Sequence, residues 1–510
     1  MRHPERKGVI RIGTGARVSV DEIAVQPFDR RVILVGGGLF AVLMAVSARY
    51  GFQRDELYFL DCARHLQLSY VDQSALAPLL TWVALKLFGV SVVGVRLFSA
   101  LAAWGVVVFG GLTARELGGS RPAQLLAAIA TALMPVLAAA AHVANTTSYV
   151  FLAWSALGWV VARIGRTGDL RWWLAGGLAT GIGIADSHLV AFFAIAVTIG
   201  ILLSGGRRAI FNRWFAGAVL IATAFEVPDL WWQATHGWAT IEMTHQLNHE
   251  NGGLAGIPIF LVAQLIMALP PLIGLWVIGL RFLWRSGRPL WRALVWAWAL
   301  LLVLFAVTTG QQIYYLAGSY VYLLAAGAVA LNGRLAERRP VRIALTALTA
   351  LVALYVAVTL LPILPMKDAR DDTLAETIGW PSLVSQVRTV WNTVPPAEQA
   401  HTVIFTDDYS EAGAINELGR GTGLPTAVSS QNNEWWWGPG NPAATTVIAV
   451  APGGEDFAAD LSKYFTSVRT VGTISNPVEI HNIEWGGHIY LCTGLQQPWG
   501  ELWPQLRHYD

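Results

Sequence analysis

The stretch VVGVRLFSALAAWGVVVFGGLTA, residues 92–114, decides the fold class of this chain. It is almost entirely apolar, and it is long enough for a helix to cross a bilayer, which takes about 20 residues. Hydrophobic residues make up 54% of the chain and charged residues only 13%, whereas a soluble protein usually carries about 25% charged residues. The composition therefore predicts a mainly α fold, a polytopic membrane helical bundle.

Eleven apolar stretches predict membrane spans. They lie near residues 31–48, 92–114, 121–139, 147–164, 172–185, 189–204, 214–230, 257–280, 293–309, 314–331 and 343–361. Arginines fill every second connection, whereas the short connections near 140–146, 186–188 and 310–313 hold no Lys or Arg. Because positive charge stays on the cytoplasmic side, we predict a multi-pass protein of the cell (plasma) membrane. An odd number of spans places the N-terminus in the cytoplasm and the C-terminus outside it.

The remaining segments predict three regions. Residues 1–30 are expected to form a disordered cytoplasmic tail, and residues 31–365 the transmembrane domain, with a long outer loop at 49–91. This loop contains an amphipathic helix over Leu57–Leu68 and an interfacial or re-entrant helix over Leu76–Phe88.

After Pro362 the long apolar runs end, and residues 366–510 are expected to form a small extracytoplasmic α/β domain. Short apolar runs alternate there with helix-like stretches. The predicted strands are Thr402–Phe405, Thr445–Val450 and Ile489–Cys492, and the predicted helices are Ser410–Leu418 and Phe457–Tyr464.

Several functional classes are disfavoured by the sequence. The net charge of +2 gives no basic field for nucleic acid. The sequence has no P-loop, no dinucleotide-binding fingerprint and no His-Glu-x-x-His zinc motif. Few charges lie within the spans, which argues against a proton-coupled transporter. Cys62 and Cys492 are expected to be free thiols, with a single disulfide as the alternative.

The acidic triplet Arg54-Asp55-Glu56 lies in the outer loop. A carboxylate in a partly dry site acts as a general base toward a hydroxyl or binds a metal ion. The spacing alone leaves catalysis and a solvated loop with an internal ion pair equally open. Other polar side chains gather in the same loop, namely Tyr58, His65, Asp72 and Gln73.

Two further polar groups are expected on the same outer face. Asp186-Ser187-His188 forms a tight turn, and residues 231–238 (WWQATHGW) combine Trp with Gln233 and His236. Gln311-Gln312-Ile313-Tyr314-Tyr315 is a similar polar and aromatic cluster. A belt of interfacial aromatics explains the Trp residues equally well, but it explains Gln233 and His236 less well.

Several motifs together resemble one bacterial family. They are RDELYFL at 54–60, CARHL at 62–66, YVDQ at 70–73, RTGD at 166–169, WQATHGW at 232–238, NGG at 251–253, YYLAG at 314–318, GWP at 379–381, YSEAGA at 409–414 and WGP at 437–439. This family is the dolichyl-phosphate-mannose–protein mannosyltransferase-like family of C-type glycosyltransferases, which includes the aminoarabinose transferase of lipid A.

The resemblance implies an outer-face transfer of a sugar from a polyprenyl-phosphate donor to a lipid, polysaccharide or protein acceptor, without nucleic acid. Asp55 is then the catalytic base and Glu56 its supporting group. No cofactor is firmly implied, and a divalent metal ion stays an open alternative. The residues expected to bind substrate are Arg54, Tyr58, His65, Asp72, Gln73, Arg96, His188, Gln233, His236, Gln312, Tyr314 and Tyr315.

Two of the departures of this sequence from the family pattern concern lysines. Relatives carry a lysine in the turn before span six and another before span ten, where this chain has Ser187 and Gln312. A lysine there would stabilise the phosphate leaving group. Either His188, Arg54 or Arg96 is expected to take this part, or the donor differs from that of the relatives. The alternative function is a noncatalytic protein on the same scaffold that binds or translocates a lipid-linked glycan.

Overall fold

The computed structural model describes residues 9–11, 17–19, 26–251, 256–308, 312–331, 339–369, 371–453 and 457–509. The predicted tail 1–30, the motif 251–253 and Gln311 therefore lie wholly or partly outside the described residues. The chain divides into two compact units. The helical unit comprises Met1–Ala45, Phe98–Trp231 and Asn248–Ala357, and the mixed unit comprises Val46–Leu97, Trp232–Leu247 and Val358–Asp510.

Helices dominate the first part of the chain. They are α1 (Arg31–Val46), α2 (Arg54–Arg64), α3 (Leu76–Phe88), α4 (Val92–Glu116), α5 (Arg121–Ala132), α6 (Pro135–Ala141), α7 (Thr146–Thr167), α8 (Trp173–Ile184), α9 (Leu189–Leu203), α10 (Arg213–Thr235), α11 (Ala239–Asn251), α12 (Gly256–Arg285), α13 (Pro289–Thr308), α14 (Tyr320–Leu331) and α15 (Arg339–Leu360). Short strands β1 (Val9–Arg11) and β2 (Arg17–Ser19) precede them as an antiparallel pair.

Each predicted span coincides with a helix or with the bent pair α5 and α6, and the prediction of a mainly α fold is confirmed. Among the described residues, four helices are long and apolar enough to cross a membrane, namely α4, α7, α10 and α13. The pair α5 and α6 passes the same test together, with a bend of 58° at its break. The total of eleven spans stays a prediction, because the other apolar helices are shorter within the described residues.

Two glycines set the packing of α12 against α14 in the helical unit. A Cβ atom on Gly279 would lie 2.0 Å from the carbonyl oxygen of Leu323, and one on Gly327 would lie 2.0 Å from that of Leu275. Both distances are far below van der Waals contact. Only glycine therefore permits this close approach of the two backbones, as small residues do at helix interfaces in membranes.

A buried carboxylate joins the ends of α4 and α7. Glu116 is fully buried, and it accepts hydrogen bonds from Arg163 Nη1 at 2.8 Å and Arg166 Nε at 2.7 Å. Burial makes an unpaired carboxylate costly, so two arginine partners are needed to hold this one. Arg166, part of the family-like motif at 166–169, therefore has a structural role.

The later part of the mixed unit contains a five-stranded sheet in the order β4-β3-β5-β7-β6. The strands are β3 (Thr402–Thr406), β4 (Ala427–Ser429), β5 (Thr446–Ala451), β6 (Phe465–Thr473) and β7 (His488–Leu495). Strands β4, β3 and β5 are parallel, while β7 and β6 add antiparallel neighbours. Strands β3 and β5 are buried along their whole length, which explains why they read as continuous apolar runs.

The helices of this region connect the strands or cover them. They are α16 (Asp372–Ala375), α17 (Trp380–Trp391), α18 (Pro396–Gln399), α19 (Tyr409–Leu418), α20 (Asn432–Trp437), α21 (Phe457–Leu461) and α22 (Trp499–Leu502). The prediction of a small C-terminal sheet with interspersed helices is confirmed. Cys62 and Cys492 are free thiols, and both are buried.

Helix α2 of the outer loop packs tightly against α19. A Cβ atom on Gly413 would lie 2.7 Å from the backbone of Leu57, so the two helices touch through their main chains. The first-loop residues and the C-terminal sheet domain therefore share one packed interior within the mixed unit.

The glycine contact between α12 and α14 yields a prediction about stability. We expect Gly279→Ala to destabilise the folded protein by about 1–3 kcal/mol, because the added methyl group forces the helices apart. The measurement is the thermal unfolding midpoint of the detergent-solubilised chain. Gly274→Ala in the same helix is the matched control, since no atom of the described residues lies within 4 Å of its Cβ position. Equal midpoints for the two variants would contradict this account.

Candidate active site

The candidate site begins at the first turn of α2. Gln53 caps the helix: its side-chain oxygen accepts from the backbone N–H of Asp55 at 2.8 Å, and its own N–H donates to Glu56 Oε2 at 2.8 Å. This reciprocal arrangement is a capping box. The local sequence Gln53-Arg54-Asp55-Glu56 thus starts the helix and fixes the backbone direction of all three residues in the acidic triplet.

Glu56 is tied to Arg96 of α4 by a buried, two-point ion pair. Arg96 Nε donates to Oε1 and Arg96 Nη2 donates to Oε2, each at 2.8 Å. Arg96 also donates to the carbonyl oxygens of Ser47 at 2.7 Å and Gly51 at 2.9 Å. Two-point pairs of this kind fix orientation as well as distance. Glu56 and Arg96 therefore hold the start of α2 in place, and neither is exposed to a ligand.

Asp55 has a different environment from its neighbour. Its Oδ1 accepts a hydrogen bond from the hydroxyl of Tyr409 at 2.9 Å, and its Oδ2 has no hydrogen-bond partner among the described residues. The side chain is half-buried. Loss of hydration raises the pKa of Asp55, although the charge of Arg54 and the Tyr409 hydroxyl partly oppose this. A carboxylate with one vacant oxygen and a raised pKa suits a general base.

Arg54 is fixed by the C-terminal part of the mixed unit. It forms an ion pair with Asp408, and its guanidinium lies over the ring of Tyr409, 5.3 Å from the centroid. Asp408 in turn caps α19 by accepting from the backbone N–H of Ser410 at 2.6 Å. The arginine charge is therefore held beside Asp55 by a rigid helix start.

Tyr58 and Asp72 complete this group. The Tyr58 hydroxyl donates to Asp72 Oδ1 at 2.9 Å, and the rings of Tyr58 and Tyr409 lie 4.5 Å apart. Burial raises the pKa of Asp72 to about 6, against the lowering effect of the Tyr58 hydrogen bond. Asp55, Tyr58, Asp72 and Tyr409 thus form one connected cluster of proton-carrying groups.

Other predicted residues of the mixed unit form an aromatic cluster. His236 stacks on Trp232 with ring centroids 4.0 Å apart, and His65 stacks on Trp437 at 4.3 Å. Gln233 donates to the carbonyl oxygen of Tyr70 at 3.1 Å and to the Thr240 hydroxyl at 2.6 Å.

Gln233 thus holds the loop around Tyr70 in place by these hydrogen bonds. Gln73 is buried, and its side-chain amide has no hydrogen-bond partner among the described residues.

The predicted residues of the helical unit are His188, Gln312, Tyr314 and Tyr315. His188 Nε2 lies 3.1 Å from Asp229 Oδ2 and 3.3 Å from Glu226 Oε1. Tyr314 and Tyr315 form an edge-to-face pair with centroids 5.1 Å apart. The sequence predicted His188 as a site residue, but it gave no signal for its two carboxylate neighbours.

The sequence also missed Asp408 and Tyr409 as parts of the site. They lie far along the chain from Asp55, so only the folded structure brings them to it. A usable signal was present in Asp408-Tyr409-Ser410-Glu411, whose first and fourth residues have capping-box spacing.

The chain is similar to known proteins both in a segment of its sequence and in its fold. Residues 72–232 match the family model described as dolichyl-phosphate-mannose-protein mannosyltransferase. No protein of curated function matches this chain in sequence. The resemblance predicted from the sequence motifs is confirmed by the family match.

Two solved structures of ArnT from Cupriavidus metallidurans have a similar fold. The form bound to undecaprenyl phosphate aligns with a TM-score of 0.60 and 15% identity, over 90% of this chain and 98% of that chain. The apo form aligns with a TM-score of 0.59 and 15% identity, over 90% and 97%. At this identity the likeness establishes the fold.

The ion pair between Glu56 and Arg96 predicts a large stability effect. Arg96→Gln leaves a buried carboxylate without its partner, so we expect a loss of about 3–5 kcal/mol. The measurement is the unfolding midpoint and the yield of monodisperse protein in detergent. Adding Glu56→Gln to this variant should recover part of the loss, because the uncompensated charge disappears.

Lys463→Gln is the control for this variant, because the pair between Lys463 and Asp460 is exposed and should contribute nothing measurable. An Arg96→Gln midpoint equal to that of the control would show that Glu56 does not depend on Arg96.

The buried carboxyl group of Glu484 predicts a pH dependence of stability. Burial, with added repulsion from Asp408, raises the pKa of Glu484 from 4.5 to about 8. The folded state then keeps a proton that the unfolded state releases. This stabilisation is complete below pH 4.5 and is lost as the pH rises through about 8, with a slope of up to about 1.4 kcal/mol per pH unit.

The measurement is the unfolding midpoint between pH 6 and pH 9. We expect Glu484→Gln to flatten its fall with rising pH, whereas Glu398→Gln, at an exposed glutamate, should follow the wild type. A Glu484→Gln curve parallel to the wild type would refute the assignment.

Proposed function

We propose that this chain is a membrane glycosyltransferase that moves a sugar from a polyprenyl-phosphate donor to an acceptor hydroxyl on the outer face of the cell membrane. Asp55 is the base in this reaction. The chain has apolar helices long enough to cross a bilayer, and its fold is similar to that of ArnT bound to undecaprenyl phosphate. A lipid-linked donor fits this setting, because it brings its own leaving group into the membrane.

The observation that carries the proposal is the environment of Asp55. One carboxylate oxygen is oriented by the Tyr409 hydroxyl, and the other has no hydrogen-bond partner among the described residues. Neighbouring acids differ in this respect, since Glu56 is tied to Arg96 and Asp408 to Arg54. Asp55 is therefore the carboxylate best placed to take a proton from a bound hydroxyl.

The proposed chemistry is a single displacement. The acceptor oxygen forms a bond to the anomeric carbon while the bond from that carbon to the phosphate oxygen breaks. The acceptor proton passes to Asp55 Oδ2, and the electron pair of the broken bond stays with the lipid phosphate. Attack from the face opposite the leaving group inverts the anomeric centre.

The surrounding residues have supporting parts in this proposal. Tyr409 orients the base, while Glu56 and Arg96 position the first turn of α2. Arg54 places a positive charge beside the reacting groups, which stabilises negative charge that develops there. The partly exposed rings of His236 and Trp437 suit the apolar face of a sugar ring.

The remaining substrate-binding residues are kept as part of the proposal. They are Tyr58, His65, Asp72, Gln73, His188, Gln233, Gln312, Tyr314 and Tyr315. Their shared feature is a polar or aromatic side chain in segments expected at the outer face. The acceptor is a hydroxyl of a lipid, a polysaccharide or a protein, and the extracytoplasmic placement of residues 366–510 belongs to the same proposal.

A second candidate function is noncatalytic binding or translocation of a lipid-linked glycan on the same scaffold. Ser187 and Gln312 favour it, because the family resemblance leads us to expect lysines for the donor phosphate at these two positions. The two functions differ in turnover, since a binding protein retains the donor without breaking its glycosidic bond.

The role of Asp55 predicts the effect of its removal. We expect Asp55→Asn to lower sugar transfer by about 10²–10⁴-fold, because the amide cannot accept the acceptor proton. The assay supplies membranes with radiolabelled mannosyl or pentosyl undecaprenyl phosphate and measures the label lost from the donor. Tyr409→Phe should lower transfer less, since it removes only the hydrogen bond that orients the base.

Asp460→Asn is the control for this assay, because Asp460 is an exposed acid outside the proposed site. Equal donor consumption by Asp55→Asn and the wild type would refute the assignment of the base. Donor binding without consumption by the wild type would favour the noncatalytic function.

A further inference from the structure

A compact cluster of one imidazole and two carboxylates lies in the helical unit. His188 immediately precedes α9, while Glu226 and Asp229 are three residues apart on α10. Their donor atoms all lie within 4.8 Å of one another. Neither the family resemblance nor the proposed reaction explains why two acids on one helix converge on this histidine.

The separations suit a metal ion at the centre. His188 Nε2 lies 3.1 Å from Asp229 Oδ2 and 3.3 Å from Glu226 Oε1. Tetrahedral ligands bonded to zinc at 2.0–2.1 Å lie about 3.3 Å from each other. Both distances from His188 Nε2 are therefore close to the spacing that a bound ion imposes.

A second observation concerns Glu226. Its other carboxylate oxygen, Oε2, is buried and has no hydrogen-bond partner among the described residues. A buried carboxylate oxygen without a partner is costly, and a cation bound by the same carboxylate would offset that cost. The ion pair with His188 uses only Oε1.

The helices that carry these groups are held close together. A Cβ atom on Gly181 of α8 would lie 2.6 Å from the ring of Phe225, which is adjacent to Glu226. One on Gly177 would lie 2.5 Å from the backbone of Ala218. This contact fixes α10 against α8, so its acids are held in a preformed arrangement, as a metal site requires.

We propose that His188, Glu226 and Asp229 bind one divalent transition-metal ion. Zn²⁺ and Mn²⁺ are the ions to test first, because imidazole nitrogen suits Zn²⁺ and the two carboxylate oxygens suit Mn²⁺. Three protein ligands leave at least one coordination position for water or for an oxygen of a bound molecule.

The open position suggests a role that rests on the proposed function. His188 stands in the turn where the family resemblance leads us to expect a lysine, and two acids lie beside it here. A bound dication would supply the positive charge that a phosphate oxygen needs. A largely apolar cavity of about 420 Å³ between α8, α9 and α10 is also lined by Glu226, so the lipid tail of such a phosphate has a place beside the ion.

The metal site is tested without any sugar donor. The full-length protein in detergent is stripped with EDTA, dialysed against Mn²⁺ or Zn²⁺, and its bound metal is measured by mass spectrometry. We expect one ion per chain in the wild type. Asp229→Asn and His188→Gln should each weaken binding at least tenfold, while Glu242→Gln, an exposed acid of the mixed unit, should bind like the wild type.

X-ray absorption spectroscopy at the zinc edge provides an independent readout, because it should detect one imidazole among oxygen ligands in the wild type and none in His188→Gln. Substoichiometric metal in the wild type, or equal binding by Asp229→Asn and Glu242→Gln, would overturn the proposal and leave an ion pair at this place.

The proposed role of the ion in phosphate binding is tested in a separate experiment. Inorganic phosphate and undecaprenyl phosphate are tested for binding to the metal-loaded and the stripped protein. We expect weaker binding to the stripped protein than to the metal-loaded protein. If only the lipid phosphate binds more weakly, the cavity contributes to binding; if both ligands bind more weakly, the ion alone accounts for the effect. Metal binding that leaves phosphate affinity unchanged would overturn only this role, whereas loss of transfer in Asp55→Asn tests the proposed function alone.

Discussion

The buried pair between Glu56 and Arg96 is the constraint on which the candidate site depends. Both side chains are almost fully buried, so neither charge could remain there without the other. Glu56 also closes the capping box with Gln53, which means that the pair fixes the helix start as well as the carboxylate. Asp55 is adjacent in the chain, and its direction follows from that anchored first turn. The candidate base is thus positioned by the ion pair of its neighbour Glu56.

Much of the fold was predictable because its signals are local. Runs of apolar residues predicted every helix proposed as a span, and short apolar runs predicted strands β3, β5 and β7. Strand β4 has only three residues, and β6 contains Arg469 and a bulge near Gly472, so neither gives a clear pattern. Long apolar helices and short buried strands are recognised in the sequence by the length of the apolar run and the spacing of its apolar residues. Edge strands such as β4 and β6 are instead determined by pairing with a neighbouring strand.

The site was predictable only in part, for the same physical reason. Arg54, Asp55 and Glu56 stand together in the sequence, and the loop around them carries Tyr58 and Asp72. The partners that give these residues their properties come from far along the chain. Tyr409 orients Asp55, and Asp408 holds Arg54, through contacts that no local pattern contains. Likewise, the turn at His188 was recognisable, but the two acids of α10 beside it became relevant only through helix packing.

The acids around α2 differ in their hydrogen-bond partners, and this difference favours Asp55 as the candidate base. Glu56 has an arginine on both oxygens, and Asp408 has Arg54 and a helix start. Asp72 accepts from the Tyr58 hydroxyl, but Asp55 in addition lies beside the charge of Arg54. Asp55 has a single hydroxyl on one oxygen. Because an ion pair stabilises the charged form of a carboxylate, it makes that carboxylate a weaker base. The second oxygen of Asp55 has no such partner among the described residues, so in the proposed reaction it is available for the proton of a bound hydroxyl.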